Sequence, residues 1–388
     1  MNDKSRREFL ESSVTTLAVA ALGTSTRAEQ PAPRASRIRF AAVGLNHGHI
    51  YGQVDAVQRG GGELVAFFAR EPDLAASFAK RFPGVRQARS EQEILDDASI
   101  QLVVSAAIPN ERAPLGVRVM RHGKDFMSDK PAATTLAQLE EVRRVQQDTR
   151  RIYSVLIERH EHRATAKAVQ LVRDGAIGRV LQTLSTGPHR MNPNARPSWF
   201  FERERYGGIL CDVASHHIDQ FLVFTGSAQA DIVAAQVGNL HHPKYPELED
   251  FGDVMLRSDR GTGYIRVDWF TPAGLSTYGD GRLTILGTDG YIEVRKTIDI
   301  AGRPGGNHLF IVDQKAPRYI DCSDVPLPYG ERLVDDVLNR TETANPQVQT
   351  FLAMEVALRA QEAAQRLTDA AGGRTQATLP APGARIRA

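Results

Sequence analysis

The chain has 388 residues, of which 41% are apolar and 24% charged, and its formal net charge is +2. That length is ample for two domains with buried cores. A near-neutral balance, with no basic tract interleaved with aromatics, excludes nucleic acid as an expected partner.

The amino terminus reads Ser5-Arg6-Arg7-Glu8-Phe9-Leu10, then a modest apolar run from Val14 to Leu22, then Thr26-Arg27-Ala28. A basic stretch, an apolar stretch and a small-residue cleavage pattern predict a twin-arginine export signal over residues 1–28. The apolar run is too short to span a bilayer, so no stable membrane anchor is expected and the destination is the periplasm or beyond. Residues 29–36, with Pro31, Pro33 and Ser36, read as a linker. In an oxidising compartment Cys211 and Cys322 could form one disulfide, but their separation in sequence does not decide whether they pair.

From residue 37 strands and helices alternate. Arg37 to Gly44 is a β-type run ending on glycine, followed by a helix from His49 to Arg59 and a strand from Glu63 to Ala69. Helices follow over Pro72–Arg81 and Ser90–Asp96, the second with a capping pattern in Ser90 and Glu93. Then come the strand Gln101–Ala106, the helix Arg112–His122 and a short strand over Asp125–Met127. Strands apolar on both faces predict a parallel sheet covered by helices on both sides, a doubly wound Rossmann domain over residues 37–154. The strand Ile152–Ile157 and the helix Ala164–Asp174 continue that rhythm. Beyond Gly178 the strands lengthen and alternate polar with apolar: Val180–Thr186, Ile232–Gly238, Asp253–Arg257, Gly263–Trp269, Arg282–Leu286 and Tyr291–Arg295. Such strands suit an open, largely antiparallel sheet in an α+β domain over residues 155–388, with a last helix, Val348–Leu367, packing back on the body.

Three places carry chemistry. The first is the turn after the first strand, Gly44-Leu45-Asn46-His47-Gly48-His49. A dinucleotide fold places G-x-G-x-x-G here, so that the backbone can approach the pyrophosphate at a helix amino terminus. Gly44 fits, while Asn46 and His49 stand at the second and third glycine positions; Asn tolerates left-handed backbone. The second strand ends Phe68-Ala69-Arg70 without an acid for the ribose hydroxyls, and Arg70 is placed to pair with a 2′-phosphate, which favours NADP over NAD.

The second place is Asp129-Lys130-Pro131, where Lys130 projects from a strand end and can stabilise an alkoxide. The third is the stretch Gly207 to Asp219. On a regular helix Asp212, His216 and Asp219 share one face, opposite Leu210, Ala214, Ile218, Phe221 and Leu222. A His four residues after an Asp suits a base and its orienting partner. Asp and His at this spacing can also hold zinc, but only two ligands stand together with no Cys or Glu set nearby, so no metal site is expected.

With these residues in hand, the chain resembles the Gfo/Idh/MocA family of glucose–fructose oxidoreductase and inositol dehydrogenase. Asp129-Lys130-Pro131 resembles the family's E-K-P, and Gly207-Gly208 through Asp219 its glycine-rich D-x-x-x-H-x-x-D helix. Glu249-Asp250-Phe251-Gly252 and Leu286 through Gly290 resemble its later sheet signatures. The resemblance implies a bound nicotinamide cofactor and a sugar, polyol or glycoside substrate. It implies Lys130 and His216 as the acid/base pair, Asp212 and Asp219 positioning His216 and the substrate, and Pro109 and Asn110 bordering the nicotinamide. Gly44, Asn46, His47, His49, Arg70, Asp129 and Lys130 complete the expected cofactor contacts. His189 and Trp199 lie in a segment read as a substrate-side loop, with Trp199 able to stack on a sugar face. The resemblance further implies a homo-oligomer built through the second sheet. A compartment without free nicotinamide points to a tightly held, internally recycled cofactor, which leaves redox-neutral cleavage or epimerisation open. A non-catalytic sugar-binding protein on the same fold is the alternative.

Overall fold

The first layer is a parallel sheet. A computed structural model describes residues 37–367, so the stretch read as an export signal and the linker after it lie outside the described residues. The strands are β1 (Ile38–Val43), β2 (Gly62–Phe68), β3 (Arg86–Gln87), β4 (Leu102–Ser105), β5 (Asp125–Ser128) and β6 (Tyr153–Val155). They pair in the order β3-β2-β1-β4-β5-β6, every pair parallel. The connecting helices are α1 (His49–Arg59), α2 (Pro72–Arg81), α3 (Glu91–Asp96), α4 (Pro109–Arg121) and α5 (Leu136–Thr149). Every residue of β4 and β5 is buried, as expected of strands covered on both faces. The order reverses between β1 and β4, and ligands bind such sheets in the crevice that opens at the carboxyl ends of those strands.

The second layer follows α6 (Arg163–Arg173). Its elements are β7 (Val180–Pro188), α7 (Arg203–Tyr206), α8 (Ser215–Thr225), β8 (Asp231–Gly238), β9 (Phe251–Arg257), β10 (Thr262–Asp268), β11 (Arg282–Gly287), β12 (Gly290–Arg295), β13 (His308–Asp313) and β14 (Pro317–Asp321). The chain closes with α9 (Tyr329–Asn339), α10 (Gln347–Ala363) and β15 (Gln365–Arg366). Nine strands run β14-β13-β12-β11-β7-β10-β9-β8-β15, antiparallel except for the pairs β7/β10 and β8/β15. Alternation sorts the faces: Ile265, Val267, Leu283, Ile285, Ile292 and Val294 are fully buried, whereas Leu184, Met255, Leu286 and Tyr291 stand exposed on the other face.

The carboxyl-terminal helices tie the layers together. Tyr329, Leu333, Val334 and Val337 of α9 join the core around Phe40, Val54 and Val57, so this late helix covers the first sheet. Contact is close because both Gly60 and Gly330 lack a side chain; a Cβ on Gly330 would sit 1.8 Å from the Ala56 carbonyl oxygen. Helix α10 buries residues on more than one side, because it packs against both layers. Its Phe351, Met354 and Leu358 enter the first core, and its Ala353, Val356, Ala357 and Ala360 the second. It stops at Ala363, four residues short of the sequence expectation. The edge of β8 has unpaired backbone groups, and Gln365–Arg366 pairs with them instead of continuing the helix. Cys211 and Cys322 are free and buried in separate cores, so no disulfide forms. Burial pushes their thiols up to about 12 and about 11.

Candidate functional site

The carboxyl end of β5 delivers Asp129 and Lys130 into the crevice, and a buried arginine holds them. Arg112, on α4, donates from Nε to the Ala107 carbonyl at 2.7 Å, from Nη1 to the Lys130 and Pro131 carbonyls, and from Nη2 to Asp129 at 2.9 Å. Burial alone would raise the Asp129 carboxyl, but Arg112 and the neighbouring His49 and His47 hold it well below the usual range. Lys130 Nζ donates to the Asp212 carbonyl at 2.8 Å and to its carboxylate at 2.9 Å. An ammonium has three protons, so one remains for a third acceptor.

Residues 210–214 form a π-helical turn ahead of α8. The wider i→i+5 turn advances each residue by less than a regular helix does, so the face expected to gather three polar residues splits. Asp212 and His216 line the cleft, whereas Asp219 does not. Asp219 is buried and accepts from Arg159 Nε at 2.6 Å, an inter-segment tie and not a substrate contact. Asp212 also differs from expectation, since it grips Lys130 and does not orient His216. That task falls to the Glu158 amide, which donates to His216 Nδ1 at 3.1 Å. With Nδ1 an acceptor, the neutral ring carries its proton on Nε2. Burial, with Lys130 beside it, holds His216 well below the ordinary histidine value, so neutral is its resting form.

The cleft these groups face has a volume of about 530 Å³. Trp199, Trp269 and Tyr278 supply aromatic wall, and Arg196 stacks over Phe200 at 4.4 Å and over Trp269 at 4.8 Å. His189 lies in the lining, and its Nδ1 donates to the Gly187 carbonyl at 2.9 Å, leaving Nε2 as an acceptor. Burial lowers it to about 4. Sequence reasoning missed the opposite wall. Glu158, just past β6, accepts from Lys296 at 2.6 Å and from Gln220 at 3.0 Å, and the Lys296 side chain is only 1% exposed. The signal available for Glu158 was its place at a parallel strand's carboxyl end; Lys296 comes from just past β12 and had none. Arg112 and His217 were missed too.

A second cavity of about 250 Å³ opens on the other side of the 44–49 turn, lined by Gly44, Asn46, Arg70 and Asn110 among others. Gly44 has φ +73°, and a Cβ there would lie 2.5 Å from that of Ala107, so glycine is required for the turn. Asn46 donates to Glu71 at 2.8 Å. Arg70 is well exposed, 3.6 Å from Glu111. Pro109 opens α4 and faces the large cleft with His47 and His49. The side-chain oxygen of Asn110 is buried without a protein partner, an acceptor still to be satisfied. A tight glycine turn, the amino terminus of α4 and an unpaired amide oxygen, brought together at this cavity, fit a dinucleotide.

Comparison with known proteins agrees with this architecture. Residues 38–157 match the family model for an oxidoreductase family NAD-binding Rossmann fold, and residues 165–293 match the GFO/IDH/MocA C-terminal domain. A solved structure from Erwinia carotovora atroseptica, whose protein carries only a provisional oxidoreductase description, superposes with a TM-score of 0.83 at 45% identity over 85% of this chain and 100% of that one. Levoglucosan dehydrogenase of Pseudarthrobacter phenanthrenivorans is 31% identical over 41% of this chain and 42% of its own length. The 1,5-anhydro-D-fructose reductase of Ensifer adhaerens is 25% identical over 47% of this chain and 54% of its own. The chain thus spans about half the length of the curated relatives it matches.

Proposed function

The chain belongs to the Gfo/Idh/MocA family of oxidoreductases, and from that premise we propose that it interconverts a hydroxyl and a carbonyl on a sugar or polyol with a nicotinamide dinucleotide. One observation carries the reading: the Lys130 ammonium, gripped by Asp212 with a proton to spare, and the neutral His216 ring line the same cleft.

Gly44, Asn46, Arg70, Pro109 and Asn110 are the residues that would hold the dinucleotide, which when bound supplies the hydride acceptor or donor. Everything else falls to the chain. His216, fixed by the Glu158 amide, offers Nε2–H to the substrate oxygen and polarises a carbonyl without changing its own charge. In the reducing direction Lys130 gives its third proton to the oxygen as negative charge develops there; in the oxidising direction the neutral amine takes that proton back. Asp212 keeps the amine in place. Trp199, Trp269 and Tyr278 suit the apolar faces of a sugar ring, and His189 Nε2 can accept from a hydroxyl. Relatives named for levoglucosan, xylose and anhydrofructose support a carbohydrate substrate. Arg70 favours NADP over NAD by offering a partner to a 2′-phosphate. The export signal read in residues 1–28 goes with a cofactor held tightly and recycled in place.

Titration of the purified protein with NADP and NAD tests the proposal. Binding of at least one at micromolar levels is expected, and Arg70→Ala should weaken NADP about tenfold while sparing NAD. If neither nucleotide binds, and none is released from the protein on denaturation, the proposal fails.

A further inference from the structure

The two histidines in the dinucleotide turn, expected from the sequence to touch the cofactor, have no role in the proton transfer proposed above. His49 stands at the third glycine position and His47 two residues before it, and both aim Nδ1 at one carboxylate. Asp129 Oδ2 lies 3.2 Å from His47 Nδ1, and Asp129 Oδ1 lies 2.9 Å from His49 Nδ1. All three potential ligand atoms fall within 4.8 Å of one another. We propose that His47, His49 and Asp129 form a site for one divalent transition-metal ion of the zinc class, at the wall of the cleft.

Geometry and chemistry both support this. A tetrahedral zinc with ligands at ~2.0–2.1 Å separates them by about 3.3 Å, and each histidine nitrogen lies near that distance from its own oxygen of Asp129. His47 Nδ1 also lies 3.4 Å from the His49 amide nitrogen, so the turn backbone closes on the same atom. The rings meet edge to face, with centroids 4.1 Å apart, which keeps both on the same side of Asp129. The carboxylate is itself fixed from behind by Arg112 at 2.9 Å and by the Lys130 amide at 2.8 Å, the outer-shell support that metal-binding carboxylates have. Two imidazoles and one carboxylate, without sulfur, suit zinc or ferrous iron. Both histidines line the cleft, so the remaining coordination positions would open toward the substrate side. Three protein ligands with an open position is the pattern of catalytic metal sites.

The test uses metal-free full-length protein and Zn²⁺ alone, independently of any nucleotide. Calorimetric titration should give one ion per chain. His49→Ala, whose side chain is 46% exposed and makes no core contact, should weaken binding by more than about tenfold. X-ray absorption at the zinc edge of the wild-type complex should report nitrogen and oxygen ligands including two imidazoles. Absence of one-to-one binding, equal affinity in the variant, or a ligand set without imidazole would overturn the proposal.

Discussion

Lowering the pH from 7 to 5 is expected to cost the folded chain about 4 kcal/mol through two cleft histidines alone. Burial is the main cause in both: His189 is lowered to about 4, and His217, with Lys296 nearby, to about 3. Unfolded, each ring titrates near 6.5. The unfolded chain therefore binds more protons between those values, so stability is complete above about 6.5 and drains away as the pH falls toward about 4. At pH 5 the unfolded rings are almost fully charged while the buried ones are still neutral. That gap of about 1.5 pH units is worth about 2 kcal/mol per ring at ~1.36 kcal/mol per unit. His160 and His216, also held well below the ordinary value chiefly by burial, add to the loss with the same sign. The total is a large share of the ~5–15 kcal/mol that stabilises a typical domain. Urea unfolding at the two pH values measures it, provided the slope m stays constant. His189→Gln should remove its own share of the pH dependence. Equal midpoints at pH 7 and pH 5 would refute the picture of a cleft walled by neutral, desolvated imidazoles.

Other perturbations read the remaining parts of the site. Glu158→Gln leaves the buried Lys296 ammonium without its counter-charge, which should destabilise by roughly 3–5 kcal/mol in urea unfolding. The double variant Glu158→Gln/Lys296→Met should recover most of that loss. Gly44→Ala places a Cβ 2.5 Å from that of Ala107 at a φ of +73°, so a loss of at least about 1–2 kcal/mol and weaker nucleotide binding are expected. An unchanged melting temperature in that variant would contradict the tight turn.

Much of this molecule was legible in sequence because its information is local. The alternation of apolar strands with helices up to Val155 announces a parallel sheet, and the period-two strands after Gly178 announce the second. Lys130 and Asp212 were legible because each stands in a short motif beside a strand end or a glycine pair. What was not legible depends on distant partners. The π-helical turn at 210–214 changes the angular step by a bonding pattern that no spacing rule encodes, and with it the destination of Asp219. Glu158 and Lys296 meet across 138 residues, so neither has a neighbour that betrays the pair. The strands β13 and β14 and the helix α9 went unread, although β13 carries the apolar run Leu309-Phe310-Ile311-Val312. Helix α9 is held by the first layer, far back in the chain. The His47–His49–Asp129 cluster likewise needed the fold to bring the turn after β1 against the end of β5.

The central claim is that Lys130 moves the proton while the cofactor is held by other residues. Wild type and Lys130→Met, both loaded with nicotinamide dinucleotide, can be mixed with a panel of sugars and polyols while the fluorescence of the reduced cofactor is followed. The account predicts turnover with at least one carbohydrate by the wild type, and a loss of about 10²–10⁴-fold in kcat/KM in the variant with nucleotide affinity preserved. A Lys130→Met protein that works at the wild-type rate would contradict it.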